Sequence, residues 1–279
     1  MSFLELSIED FVNLRNLIYE RTGMQFGENK IYYFKKRVQK RMEEQGLERV
    51  SEYIRYLKMF DSNNREFQDL INLITVNETY FFREFSQLAI FAEVCLEEVV
   101  ARKRAKGDRT LKIFSAACST GEEPYTLAII LREMLDDFNS WKIMVKGVDI
   151  DENVLKAATR AEYDSRSVKD VPASYIDQHF TSLSGDRYRV NPDIRQMVTF
   201  EHVNLMDRRA LRSERNYDFI FCRNMLIYFD DQSRKQVVER FYTMLNQGGF
   251  IFLGHAESLS RITTAFKIRR IEGFTVYQA

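Results

Sequence analysis

From Leu111 onward, short apolar runs alternate with stretches whose apolar residues recur every three or four positions. That alternation is the pattern of a mostly parallel sheet covered on both faces by helices. Period and flanking turn residues predict strands at 111–116, 143–149, 199–203, 217–222, 249–254, 266–271 and 274–278, with helices at 122–136, 151–161 and 231–246. Asp151 reads as the cap of the middle helix, and Asp230-Asp231 and Gly248-Gly249 bound the last one. Only Glu272-Gly273 joins the final two strands, so they should form an antiparallel hairpin. Between Glu162 and Val198 the alternation fails, and Asp186 to Val190 followed by Asn191-Pro192-Asp193 predicts a small antiparallel insertion.

Ahead of this region the pattern is helical. Ser7 and Asp10 suggest a cap, Phe11, Leu14 and Ile18 form an apolar stripe, and Gly23 is a stop. A second helix is expected at 30–42, a third behind Ser51, and a fourth over 65–74. Thr75 to Arg83 breaks the helical period and mixes polar side chains with aromatics, after which Gln87 to Lys106 is helical again. The chain therefore divides into a helical N-terminal domain at 1–75, a linker and connecting helix at 76–107, and an α/β domain at 108–279 with an insertion at 162–198.

Composition narrows the class. The sequence has 279 residues, 45% of them hydrophobic, enough for a sizeable core, and its 41 basic and 41 acidic residues cancel. Overall charge gives no reason to expect nucleic acid or membrane as partner. The start MSFLELSIEDF lacks a signal-peptide pattern and no apolar run approaches a membrane span, so a cytoplasmic protein is expected. Locally the picture differs, because Lys30, Lys35, Lys36, Arg37, Lys40 and Arg41 fall on one helix with no acid between them. A basic helix is commonly a solvated face, but this pattern favours docking to an acidic partner. Cys95, Cys118 and Cys222, like His179, His202 and His255, lack metal or disulfide spacing, so no metal is expected. Cys118 and Cys222 read as packing residues at strand ends.

The most informative stretch is Ser115 to Tyr125, SAACSTGEEPY, between the first strand and its helix. Thr120 and Glu123 fit a capping box, and Pro124 suits a first helical turn. Small residues let such a loop approach a ligand closely, although an ordinary strand–helix turn fits equally well. GxGxxG is absent, and Glu122 and Glu123 would repel a pyrophosphate while accepting from hydroxyl or amino groups. In a doubly wound sheet ligands lie across the carboxyl ends of the strands, which selects this loop, Asp149, Asn204-Leu205 and Cys222-Arg223-Asn224. An acid ending the second strand suits ribose hydroxyls; the competing reading of Asp149 as a helix cap belongs more naturally to Asp151. A nucleoside with a cationic centre and no phosphate fits, and S-adenosylmethionine is such a ligand.

SAACSTGEEPY, GVDID (147–151), FCRNMLIYF (221–229), GHAES (254–258) and NETYFFRE (77–84) together resemble the chemotaxis receptor methyltransferase family, CheR-type, over nearly the whole chain. The resemblance implies a Rossmann-like methyltransferase sheet with a small β-subdomain, preceded by an all-α domain. It implies methyl transfer from S-adenosyl-L-methionine to glutamate side chains of membrane chemoreceptors, giving glutamyl methyl esters and S-adenosyl-L-homocysteine. Residue by residue, Asn77, Thr79, Arg83, Glu123, Asp149, Asn204, Leu205, Arg223 and Asn224 would line the cofactor site. Arg83, Arg223 and Tyr228 fall at the reaction centre, and the sequence leaves open which arginine meets the cofactor and which the substrate. For both, a structural ion pair is the less favoured reading. Some members tether receptors through a C-terminal peptide bound by the β-subdomain; the compact segment 180–195 suggests that this chain does not.

The chemistry agrees, because a glutamate with pKa near ~4.3 is already a carboxylate and needs no general base to attack a sulfonium methyl. Two other classes were weighed. A nucleic-acid methyltransferase would carry an NPPY-like strand end where this chain has RNML. A cofactor-binding adaptor that docks receptors or response regulators without catalysis would have lost Arg83 or Tyr228, and both are present.

Overall fold

A computed structural model describes residues 6–279. The chain starts with four helices, α1 (Ile8–Thr22), α2 (Ile31–Gln45), α3 (Val50–Met59) and α4 (Arg65–Ile74). Ser7 caps α1 by accepting from the Asp10 N–H at 3.0 Å, and Gly23 closes it in the left-handed region at φ 72°, as the sequence suggested. Ser51, expected to cap α3, instead lies inside the first turn, and the cap position is held by Arg49 without a side-chain bond. The N-terminus of α4 is served from a distance by Asp61, whose two oxygens accept from the N–H groups of Glu66 and Phe67 at 3.1 and 2.8 Å.

The basic character of α2 needs correction. Arg41 is buried and paired with Glu66, which also accepts from Tyr53 and Gln45. Arg37 lies over the Tyr33 ring at 3.4 Å and donates to the Leu73 carbonyl at 2.7 Å. The helix also continues through Glu43 and Glu44. Two of the six cations are thus internal struts, and Lys30, Lys36 and Lys40 are the fully exposed ones.

A long rod follows, α5 (Phe85–Ile90) running through a wide π turn at Phe91–Cys95 into α6 (Leu96–Ala105). Phe91, in the π turn, meets Phe219, Phe221 and Phe252 edge-on at 5.0–5.8 Å, fixing the rod against the sheet. The α/β region then runs β1 (Thr110–Ala116), α7 (Glu122–Met134), β2 (Lys142–Asp149) and α8 (Glu152–Arg160). The insertion holds β3 (Glu162–Asp164), α9 (Ala173–His179), β4 (Phe180–Leu183), β5 (Arg187–Val190) and α10 (Pro192–Arg195). Next come β6 (Val198–His202), β7 (Tyr217–Cys222), α11 (Asp231–Met244), β8 (Leu245–Leu253), β9 (Lys267–Ile271) and β10 (Phe274–Gln278). The main sheet has the order β6-β2-β1-β7-β8-β10-β9, parallel except that β10 runs antiparallel to both neighbours, which is the expected terminal hairpin. A separate antiparallel sheet, β3-β5-β4, fills the insertion.

Apolar packing joins the helical region to one face of the sheet. Phe11, Phe34 and Leu70 belong to the same buried cluster as Phe114, Ile220 and Phe241. At the strand ends two glycines are needed for close approach. A Cβ on Gly147 would sit 2.9–3.0 Å from Pro124, Cys118 and Phe200, and one on Gly121 would sit 2.8 Å from the Ala158 Cβ. These contacts press the start of α7 against β2 and α8, next to the loop that shapes the cavity.

Candidate active site at the carboxyl ends of the strands

The loop between β1 and α7 is held in an unusual backbone conformation. Ala117, Ser119 and Gly121 have φ values of 55°, 50° and 93°, and for the first two the left-handed region costs roughly 1–2 kcal/mol each. Hydrogen bonds hold them there. The Cys118 N–H donates to the Val148 carbonyl at 3.0 Å, and the Ser119 N–H to Asp149 Oδ2 at 2.8 Å. The other Asp149 oxygen accepts from the Asp151 N–H at 2.9 Å, so one carboxylate ties this loop to the turn after β2. Asp151 itself is the cap of α8, accepting from Asn153 and Val154.

The capping box does not form. Gly121 is the cap residue of α7, Thr120 donates to Glu122, and Glu123 accepts instead from Ser115 Oγ at 2.7 Å. Glu122 turns away from the cavity into a buried position, so only Glu123 of the two faces it.

One cavity at the strand ends, roughly 1200 Å³ of open space with its mouth included, is lined by Asn77, Thr79, Arg83, Glu123, Asp149, Asn204, Leu205, Arg223, Asn224 and Tyr228. All the residues nominated from the sequence therefore meet in one place. Asn77 donates to Asp151 Oδ2 at 2.9 Å, which brings the segment after α4 across the loop. Arg83 is half-buried, donates to the Glu78 carbonyl at 2.6 Å, and lies 5.7 Å from the Tyr80 ring. Asn204 donates to the Arg21 carbonyl at 2.7 Å and accepts from the Met206 N–H, so its amide fixes the turn after β6.

Arg223 corrects an expectation. It is buried and ion-paired, with Nη1 3.2 Å from Glu123 and Nη2 3.1 Å from Glu84, and it donates to the Arg83 carbonyl at 2.5 Å. The structural ion pair, disfavoured from sequence, is therefore present. Its Nε remains a buried donor without an acceptor in the chain. Asn224 adopts φ 58°, and the Tyr228 carbonyl accepts from the Gln25 N–H at 2.7 Å.

That last bond belongs to a wall the sequence did not announce. Thr22, Met24 and Phe26, from the segment after α1, line the same cavity. Met24 bridges to Phe229, and Tyr19 donates to Asp230 at 2.6 Å. The available signal was the alternation of Met24, Gln25 and Phe26 immediately after the Gly23 stop.

Burial sets the electrostatics. It pushes the Asp149 carboxyl up to about 6, against the lowering effect of the Asp151 and Ser119 N–H groups. It also raises Glu123, with Arg223 opposing, and it raises the Tyr228 phenol. The Cys118 and Cys222 thiols are held well above their ordinary range by burial, which suits packing rather than nucleophilic attack. Among the described residues no cluster of three His, Cys, Asp or Glu side chains is arranged to hold a metal.

The donor set fits a nucleoside with an amino-acid tail. Asp149 retains lone pairs for hydroxyls, the Arg223 Nε lacks an acceptor that a carboxylate would supply, and Val148, Ile150, Val203 and Leu205 give apolar walls for a base. A doubly wound sheet with a terminal antiparallel hairpin and this acid-lined, phosphate-free cleft defines an S-adenosylmethionine-dependent methyltransferase. Residues 77–274 match the model of the CheR methyltransferase SAM-binding domain, and residues 9–75 that of the CheR methyltransferase all-alpha domain. The chain is 39% identical over 277 residues to chemotaxis protein methyltransferase 2 of Vibrio cholerae, covering 99% of this chain and 95% of that one. It is 33% identical to the chemotaxis protein methyltransferase of Salmonella typhimurium (98% and 91% covered) and 32% to that of Escherichia coli (98% and 92%). The chain belongs to the CheR methyltransferase family.

If the ionised Asp149 carboxylate is the ribose acceptor, cofactor affinity should fall as pH drops through about 6. Calorimetric titration with S-adenosylhomocysteine should show Kd rising about tenfold between pH 7.5 and 5, the loss expected when a binding-competent form falls to about a tenth of the population. An Asp149→Asn variant should bind weakly with a flat profile. A flat profile in the wild type would remove Asp149 from ribose binding.

Proposed function

We propose that this protein transfers the methyl group of S-adenosylmethionine to glutamate side chains of membrane chemoreceptors, forming glutamyl methyl esters in chemotactic adaptation. The observation that carries the acceptor chemistry is the composition of the cavity: among the described residues no histidine lines it, and Asp149 and Glu123 are committed to hydrogen bonds within the protein. A carboxylate acceptor needs no base, whereas an amine or alcohol would have to shed a proton. Attack by a glutamate oxygen on the methyl carbon forms the C–O bond as the C–S electron pair returns to sulfur, leaving S-adenosylhomocysteine and a neutral ester.

Opposite charges annihilate along this path, so the transition state is less polar than the reactants. A group that gripped the substrate carboxylate tightly would stabilise the reactants more and slow the step. The division of labour we assign follows from that. Arg223, locked by Glu84 and Glu123, offers Nε to the cofactor carboxylate. Arg83, nearer the surface and held by one carbonyl bond, orients the substrate together with Tyr228. Asn77, Thr79, Glu123, Asn204, Leu205 and Asn224 complete the cofactor's surroundings, and positioning of this kind can contribute about 7–11 kcal/mol in favourable cases. Among the described residues no helix is long and apolar enough to cross a membrane, consistent with an enzyme that meets membrane receptors from solution.

The direct test is incubation with methyl-labelled S-adenosylmethionine and receptor-containing membranes. Label on receptor protein that is released as methanol in mild base is expected; base-stable label, or none, would contradict the glutamyl ester.

The exposed lysines of α2 support docking to acidic receptor helices. A Lys36→Glu, Lys40→Glu variant should raise the receptor KM severalfold without changing cofactor affinity, and wild-type activity should decline as salt rises. Normal receptor methylation by the variant at physiological salt would reduce the patch to a solvated face.

The insertion supports tether-independent action. Its β4–β5 connection is tight, with Gly185 and Asp186 at φ 72° and 50°, and Glu162 is bound to Arg187 and Arg189 across β3 and β5. Deleting a receptor's C-terminal segment should leave the methylation rate nearly unchanged. A large drop, with binding of the isolated peptide to residues 162–198, would overturn this.

A further inference from the structure

The methyl-transfer reading leaves the GHAES segment without a task, although it sits at the end of β8 beside the cavity. Its glutamate has an arrangement that points to one. Glu257 Oε2 accepts from the N–H of Asn224 at 2.9 Å and from the N–H of Gly254 at 2.8 Å, while Oε1 accepts from the N–H of Ile227 at 3.3 Å. Among the bonds of this carboxylate, two therefore go to the turn that carries Arg223, Asn224 and Tyr228, and one goes to its own loop.

The turn it holds is one that would not persist unaided. Asn224 has φ 58°, left-handed, and its N–H points outward from the strand it has just left, away from any ladder partner. A carboxylate that accepts from both Asn224 and Ile227 fixes the start and the middle of the short helical turn Leu226–Tyr228 at once. The glycine of the motif is required by the same packing. A Cβ on Gly254 would lie 2.9 Å from both the Asn224 nitrogen and Glu257 Oε2, and 3.0 Å from Asn224 Nδ2. Gly254 and Glu257 thus form one device, the glycine clearing space for the backbone that the glutamate holds.

We infer that Glu257 is a positioning residue for methyl transfer, acting through the backbone of Asn224 and Ile227 to set the Asn224 amide against the cofactor and Tyr228 against the acceptor. Glu257 does not line the cavity and touches neither substrate. The inference rests on the cofactor role proposed for Asn224. It explains why two motifs 30 residues apart recur together in this chain: each is needed to build one side of the same turn.

The test is a double-mutant cycle read by calorimetric titration of the full-length protein with S-adenosylhomocysteine, together with kcat on receptor membranes. Glu257→Gln keeps the shape but sets an amide N–H against backbone donors, and Asn224→Gly removes the side chain while tolerating the left-handed backbone. Each should raise Kd about tenfold, and the double variant should be no more than about twofold worse than the weaker-binding single, because both changes remove the same contact. Glu257→Asp, which keeps the charge but shortens the reach, should share the defect and provides the reading should Glu257→Gln fold poorly. Losses that multiply in the double variant, wild-type affinity in folded Glu257→Gln, or full function in Glu257→Asp would each overturn the inference. Wild-type affinity in Asn224→Gly would instead remove Asn224 from the cofactor site, and the inference with it.

Discussion

The structure depends on one buried carboxylate. Asp149 closes β2 and binds the backbone of the β1–α7 loop with one oxygen and the backbone of the β2–α8 turn with the other. Hydrogen bonds to a charged group contribute about 1.5–3 kcal/mol each, comparable with the cost of holding Ala117 and Ser119 in the left-handed region. The carboxylate also has a cost of its own. Its pKa rises on folding, so the folding stability it contributes is present below the unfolded value of 3.8 and is lost as pH rises through about 6. At neutral pH, keeping it ionised in the interior costs on the order of 3 kcal/mol. That stability is given up at the place where a polar ligand would be met by an acceptor already in position.

Around this node the remaining parts act as walls. The segment after α1 reaches the cavity through Met24 and Phe26, and the segment after α4 crosses the loop through Asn77. Because Asn204 and Tyr228 are both bonded to the backbone of residues 21–25, the helical region completes the cleft as well as presenting α2 to solvent. Docking and chemistry are therefore carried by one packed body, with Arg37 and Arg41 spent on holding α2 to α4 and its neighbours.

The sheet was legible because its signals are local. Apolar runs between turn residues located the strands of the main sheet to within a few residues, and the two-residue Glu272-Gly273 link specified the hairpin. The strand-end rule brought Asp149, Asn204, Arg223 and Asn224 to one cavity. What the sequence could not convey were side chains that choose among several partners. Thr120 and Glu123 have the spacing of a capping box, but Ser115 and Arg223 compete for Glu123 and win through tertiary packing. Arg41 looked like a solvent cation until Glu66, on another helix, was brought beside it. The wall formed by Met24 and Phe26, and the clamp formed by Glu257, depend on contacts over hundreds and tens of residues that no local period encodes.

The most direct measurement of the central claim is a crystal structure of the protein with S-adenosylhomocysteine. The account predicts ribose hydroxyls within hydrogen-bonding distance of Asp149, the amino-acid carboxylate on the Arg223 Nε, and the loop at 117–121 unchanged. A ribose bound elsewhere, with Asp149 still engaged only by Ser119 and Asp151, would contradict it.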